Sequence, residues 1–202
     1  MIGRQRRWRL WRGERGVALV VTLAVLLSLS GLLAAYLAVS AHEPQISRNL
    51  ADASRSRYVA EAGVERAYNV LVVTGDALGR WSEVLVGATV AQPWVAIAGL
   101  TNVAIGAQPN GGIVSVVVRN DNGPVDTRLT GLTATSTPAM DVSPTDDNNR
   151  TVIIRSTGTF NGVTSTIEAV VQRAPLPAGV PVSAETLQSM RALHSITSWR
   201  EL

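Results

Sequence analysis

Hydrophobic positions are arranged in two different ways along the first third of this 202-residue chain. Residues 17–41 form an apolar run that contains no Asp, Glu, Lys, Arg or His. In a helix this run would extend about 37 Å at about 1.5 Å per residue, whereas the hydrocarbon core of a bilayer is about 30 Å thick. The run therefore predicts a transmembrane helix.

From residue 42 to residue 73 the pattern changes to a helical stripe. Apolar side chains recur every three or four positions, with Arg57 interrupting them, which predicts an amphipathic helix that packs one face on a domain. Pro44 predicts a kink near residues 40–44, and Gly75 predicts the end of the helix. The stripe comprises Ile46, Leu50, Ala53, Ala60, Val64, Ala67 and Leu71, and the opposite face carries Arg48, Asp52, Arg55 and Glu65.

Strand patterns follow in the second half of the chain. Residues 113–119 and 152–156 are rich in β-branched side chains, which favour strands. Asn161-Gly162 is the dipeptide most typical of a two-residue hairpin turn. After it, apolar and polar residues alternate, which predicts a strand with one buried and one solvated face. The predicted buried set is Val116, Ile154, Ile167, Ala169 and Val171, and the predicted solvated set is Thr166, Glu168 and Gln172.

One long helix followed by several strands predicts an α+β fold, in which the helix packs on a small antiparallel sheet. We assign residues 74–202 to this mainly β globular domain, and we expect Ile46, Leu50 and Val64 of the helix to face its sheet. Residues 77–112 are ambiguous. A short helix is predicted over 183–193, and the tail 195–202 is predicted to dock as an edge strand that carries Trp199.

The charge is divided unevenly between the two ends of the chain. Residues 1–16 carry six Arg against one Glu, a net charge of +5, whereas residues 17–202 carry twelve Arg against fourteen acids, a net charge of −2. The basic head predicts an N-terminus on the cytoplasmic side of the membrane and gives no indication of nucleic-acid binding. The chain has no Cys, which excludes disulfides and thiolate chemistry.

Three interpretations of residues 1–41 follow from these patterns. A secretory signal peptide would use Val39-Ser40-Ala41 as its cleavage site, but the apolar run is longer than the usual 7–15 residues. A plain membrane anchor fits the length of the run but does not explain the helical pattern that continues after Pro44. The third interpretation is a short basic leader that ends at Gly16, followed by a helix that is first a membrane anchor and later a filament core.

Two stretches of the chain resemble the N-terminal region of PilX-like minor pilins of type IV pili. The first runs Arg15-Gly16-Val17-Ala18-Leu19-Val20-Val21-Thr22-Leu23, and the second runs Ala60-Glu61-Ala62-Gly63-Val64-Glu65-Arg66-Ala67. The resemblance covers roughly residues 13–73. It implies a prepilin leader over 1–16, a transmembrane or filament-core helix over 17–41 and an amphipathic continuation over 42–73.

The resemblance also implies a processing step and a set of partners. A prepilin peptidase would cut after Gly16 and methylate the new amino terminus at Val17. Glycine before the cut suits a protease groove that binds extended backbone. The other implied partners are the major pilin, other minor pilins and the inner-membrane assembly platform. The protein would wait as a single-pass inner-membrane precursor and then enter a pilus at the cell surface.

Position 21 departs from the pattern of major pilins. Those proteins usually carry a glutamate at the fifth residue after the cut, where this chain has Val21. The departure favours a minor, tip-proximal role in a type IV pilus or a related pseudopilus. Val21, together with the small residues Gly31, Ala35 and Ala38, is assigned to packing in the membrane or filament.

Catalytic chemistry has no recognisable constellation in this sequence, and we expect a structural subunit without a cofactor. Asp141, Asp146 and Asp147 lie in a loop whose oxygen-rich side chains are weak candidates for Ca²⁺ ligands. The preferred interpretation is a solvated loop, because Asp and Asn are common in turns. The alternative function is a secreted or single-pass membrane-anchored small β-rich binding domain unrelated to pili.

Overall fold

The computed structural model describes residues 11–76, 78–107, 111–174 and 194–202, without the side chains of 11–15, 194 and 195. The chain divides into two units, Met1–Leu50 and Ala51–Leu202. Helix α1, Trp11–Val73, begins in the first unit and ends in the second. The predicted short helix over 183–193 lies outside the described residues.

The first unit presents an apolar helix surface. Every described side chain from Gly16 to Leu50 is exposed. The hydroxyl groups of Thr22 and Ser28 donate to carbonyl groups one turn earlier in the helix, so these polar groups are satisfied without water. By length and composition, the helix from Gly16 onward is long and apolar enough to cross a membrane.

Pro44 lies inside α1, and the helix continues through the region where the sequence predicts a kink. The helix ends at Val73, directly before Thr74-Gly75, as the sequence predicts. Ile46 and Leu50, which were expected to face the sheet, are 66% and 68% exposed. That expectation was wrong because the buried stripe of α1 begins further along, at Ser56.

The second unit contains a six-stranded antiparallel sheet. The strand order is β1-β3-β4-β5-β6, and β2 also pairs with β3. The strands are β1 Val95–Ala96, β2 Val103–Ile105, β3 Gly112–Asn120, β4 Thr151–Phe160, β5 Val163–Arg173 and β6 His194–Glu201; a one-turn helix α2, Thr127–Thr130, lies between β3 and β4. Strands β3, β4 and β5 extend beyond their predicted cores, and the predicted C-terminal edge strand is confirmed as β6.

The hairpin between β4 and β5 follows from its turn residues. Asn161 and Gly162 have φ values of 48° and 81°, so both occupy the left-handed region that a two-residue type I′ turn requires. This turn sets the register, in which Phe160 pairs with Val163 and Ser156 pairs with Ile167. The predicted hairpin is therefore confirmed.

The core of the second unit lies between α1 and one face of the sheet. The predicted inward positions Val116, Ile154, Ile167 and Val171 are all at most 2% exposed, and Val64 of the helix packs among them. The helix approaches β4 very closely at Gly158. A Cβ atom there would lie 2.3 Å from the backbone nitrogen of Ala60, so glycine is what permits this contact.

The other face of the sheet is also partly covered, which the alternating pattern did not predict. Ile153 and Val170 are buried on that face, and Glu168, predicted to be solvated, is fully buried. Burial opposes ionisation of Glu168, but hydrogen bonds from Arg155 and Arg200 outweigh it and lower the pKa of this carboxyl. The alternation correctly places Glu168 on the face of the sheet that points away from the helix, but that face is partly covered and not fully solvated.

Candidate functional site

The outer surface of α1 in the first unit is the most extensive exposed apolar surface among the described residues. Val17 is 64% exposed and Val21 is 54% exposed, and large aliphatic side chains continue at similar exposure as far as Val39. Exposure of an apolar surface of this length to water is unfavourable, and large exposed apolar surfaces mark contacts with membranes or with other proteins.

Five residues assigned from the sequence fall on one side of this helix. At about 100° per residue, Val17, Val21, Gly31, Ala35 and Ala38 lie within an arc of about 100°. A Cβ atom added at Gly31 would have nothing within 4 Å, so this small-residue side of the helix is open among the described residues. Small side chains at such positions allow another helix to approach closely.

The predicted processing site lies inside regular helix. Gly16 and Val17 are both within α1, which begins at Trp11. A protease that binds extended backbone would have to unwind the helix locally. Glycine lowers the cost of that step because it is less favourable than alanine in a helix by about 1 kcal/mol.

The second stretch of the pilin resemblance has a direct packing explanation. Ala60 and Ala67 are fully buried against the sheet, and Gly63 lies between them on the same face. A Cβ atom at Gly63 would lie 2.2 Å from the Oγ of Ser156 and 2.4 Å from a methyl group of Val114. The small residues of this stretch therefore bring the helix close to the sheet.

Arg173 fixes the end of α1 in a way that sequence reasoning missed. Its guanidinium is buried and donates hydrogen bonds to the carbonyl oxygens of Leu71, Thr74 and Gly79 at 2.6–2.7 Å. The same group lies 4.5 Å from the ring centroid of Trp81, in cation–π geometry. Burial lowers the pKa of Arg173 to about 10, so the side chain remains a cation at neutral pH. It binds one carbonyl group in the last turn of α1, that of Leu71, and two carbonyl groups of the segment that follows the helix, those of Thr74 and Gly79.

The loop over residues 141–149 differs from the predicted solvated loop. Asp141 and Asp147 are 5% and 0% exposed, whereas Asp146 is exposed as expected. Asp147 accepts hydrogen bonds from the backbone N–H groups of Trp81 and Arg150 at 2.7 and 2.6 Å. The prediction was wrong for Asp141 and Asp147, because their carboxylates organise the loop by accepting hydrogen bonds from backbone N–H groups of the loop and of Trp81.

Asp121 joins this buried network from the end of β3. The Nδ2 of Asn149 donates to both of its carboxylate oxygens, at 3.0 and 2.9 Å. Burial raises the pKa of Asp121 to about 7 and that of Asp147 to about 6, and burial also raises the pKa of Asp141. Among the described residues, no group of three or more His, Cys, Asp or Glu side chains is arranged to hold a metal ion.

These carboxyls predict that mild acid stabilises the second unit. A carboxyl whose pKa is higher in the folded than in the unfolded chain contributes stability at low pH, and this contribution is lost as the pH rises through the folded value. For Asp121 and Asp147 the loss begins as the pH rises above the ordinary pKa of 3.8 and is complete above the folded pKa values of about 7 and about 6. We expect the melting temperature to be several degrees higher at pH 5 than at pH 8.

Replacing single carboxyls tests this source of pH dependence. Asp121→Asn should reduce the difference in melting temperature between pH 5 and pH 8, because it removes one of the titrating groups. Asp146→Asn, in the exposed part of the same loop, is the matched control and should leave the difference unchanged. An equal effect of both substitutions would contradict the assignment to the buried network.

No protein-family model, curated protein or solved structure matches this chain.

Proposed function

We propose that this chain is a minor pilin-like structural subunit, not an enzyme, of a type IV pilus or a related pseudopilus. The observation that carries the proposal is the exposed apolar helix surface that begins immediately after Gly16 and belongs to the same helix that packs on the sheet of the second unit. The preceding basic head supports a cytoplasmic N-terminus before assembly.

The working chemistry in this proposal is the exchange of one apolar environment for another. In the inner membrane, residues 17–41 would contact lipid. In the filament, the same side chains would contact the helices of the major pilin and other minor pilins. The side of the helix that carries Gly31, Ala35 and Ala38 would permit the closest approach, because packing in an apolar environment depends on close van der Waals contact.

Cleavage by the prepilin peptidase is tested by changing the residue before the cut. Gly16→Leu should leave full-length precursor in the inner membrane, because the leucine side chain would obstruct the protease groove and favour helix at the scissile peptide. Mass spectrometry of the N-terminus, in cells that contain the peptidase, should find methylated Val17 in the unchanged protein and none in Gly16→Leu.

Gly13→Leu is the matched control, since it alters a glycine within the leader but not the cleavage site, and it should be processed normally. Normal trimming of Gly16→Leu would contradict the pilin proposal. An N-terminus at His42, or an uncut unchanged chain, would support the alternative of a secreted or membrane-anchored binding domain.

The absence of an acid at position 21 leads to a prediction about abundance. We expect the subunit to be scarce in sheared, purified filaments, and its deletion to reduce the number of filaments more than it changes their structure. Quantitative mass spectrometry and counting by electron microscopy measure these two quantities. Its recovery as the dominant filament subunit would overturn the minor assignment.

A further inference from the structure

An open apolar groove lies within the second unit, between helix α1 and strand β6. It has a volume of about 370 Å³. The floor is formed by side chains that also belong to the core, and the outer wall is formed by two side chains of β6, Ile196 and Trp199. Trp199 is 56% exposed, which leaves a large aromatic surface available at the edge of the sheet.

An irregularity in β6 places both of these side chains in the groove. Ser198 pairs with Val170 and Ile196 pairs with Val171, so Thr197 is an extra residue in the strand. Residues three positions apart would normally point to opposite faces of a sheet, but the extra residue brings Ile196 and Trp199 to the same face. Strand β6 is the last strand in the sheet order, and among the described residues no further strand pairs with its outer edge.

The groove is bordered mainly by negative charge. Glu61 and Glu65 lie in its helix wall, and Glu201 lies at the end of β6. Arg57 is the nearby cation, 3.1 Å from Glu61 and 3.5 Å from Glu201, and its guanidinium lies 5.5 Å from the ring centroid of Trp199. Three acids against one cation give this border a net charge of −2.

We propose that this groove docks an extended segment of another protein in which an apolar side chain is flanked by Lys or Arg. The apolar side chain would contact Trp199 and Ile196, and the basic side chains would lie beside Glu61 and Glu65. The outer edge of β6, which pairs with no strand in the described part of the chain, offers backbone groups to an extended segment, and this is the usual basis for strand addition. This inference does not depend on the filament role.

A selection from random ten-residue peptides displayed on phage tests the proposal with the full chain held in detergent micelles. The enriched peptides should carry an apolar residue with Lys or Arg within two positions. A synthetic copy of the most enriched peptide should then lose about tenfold or more in affinity with Trp199→Ala, as expected for a buried aromatic contact. It should lose about threefold or more with Glu61→Gln combined with Glu65→Gln, as expected for two charges at a border.

Two variants outside the groove serve as matched controls. Val142→Ala changes an aliphatic residue that is 92% exposed, and Glu83→Gln changes an exposed acid, so neither should alter the affinity. The proposal is overturned if no peptide is enriched or if the enriched peptides are acidic. Binding that is equally strong to Trp199→Ala also overturns it, provided that circular dichroism shows this variant to be folded.

Discussion

Replacing Ile167 by aspartate is expected to abolish folding of the second unit. Ile167 lies on β5, is 2% exposed and packs in the core between the sheet and α1. Removing a buried side chain of this size forfeits roughly 1.5–3 kcal/mol, and an unpaired buried carboxylate costs several kcal/mol more. The sum is comparable to the whole stability of a typical domain, about 5–15 kcal/mol.

Thr166→Asp is the matched control for this prediction. Thr166 is the preceding residue on the same strand, but its side chain lies on the opposite face, only partly buried, with its hydroxyl 3.4 Å from that of Thr157. Near-ultraviolet circular dichroism of the full chain in micelles reports the environment of buried Trp81. We expect a cooperative melt for Thr166→Asp and none for Ile167→Asp. Equal melting temperatures would show that the wrong face of β5 has been assigned to the core.

The second large effect is expected at Gly158, where a single methyl group should separate the helix from the sheet. In Gly158→Ala the new Cβ would lie 2.3 Å from the nitrogen of Ala60 and 2.5 Å from the carbonyl oxygen of Ser56. Both are backbone atoms of α1, so no side-chain rotation can relieve the contact. We expect a loss of about 3 kcal/mol, at the upper end of the usual cost of overpacking.

Gly31→Ala provides the matched control, because it makes the same substitution where a Cβ would meet nothing within 4 Å. Thermal melting of the second unit should be unchanged by Gly31→Ala and lowered by about 10 °C in Gly158→Ala. Under the proposed function, Gly31→Ala should still reduce incorporation into filaments, because Gly31 lies on the side of the helix assigned to packing. A Gly158→Ala protein as stable as the unchanged chain would contradict the close helix–sheet contact.

The regular elements were predictable because their signals are local. The apolar run and the stripe after it indicated α1, and the β-branched runs around Val116 and Ile154 indicated β3 and β4. Asn161-Gly162 indicated the turn that joins β4 to β5, since few other residue pairs adopt two consecutive left-handed conformations at low cost. Each of these signals lies within a continuous stretch of the chain and needs no knowledge of distant contacts.

The errors arose where burial depends on segments that are far apart in the sequence. The alternation within β5 predicts that Glu168 is solvated. Arg155 and Arg200, which lie on the neighbouring strands, donate hydrogen bonds to its carboxylate and offset the free-energy cost of burying it. Asp147 was predicted to lie in a solvated loop, but its carboxylate is buried and accepts a hydrogen bond from the backbone N–H of Trp81, 66 positions earlier. The periodicity of the sequence does not indicate that Glu168 meets these two arginines or that Asp147 meets Trp81.

The sequence by itself determined that the chain has a basic head, an apolar helix of membrane-spanning length and a β-rich second part, because charge, hydropathy and turn chemistry are properties of neighbouring residues. Only the tertiary structure decided which face of each element is covered. It placed Gly158 directly beneath the backbone of α1, buried Arg173 at the end of that helix and left Trp199 exposed at the sheet edge. The physical reason is that burial and close approach are properties of pairs of elements, and a single element cannot specify its partner.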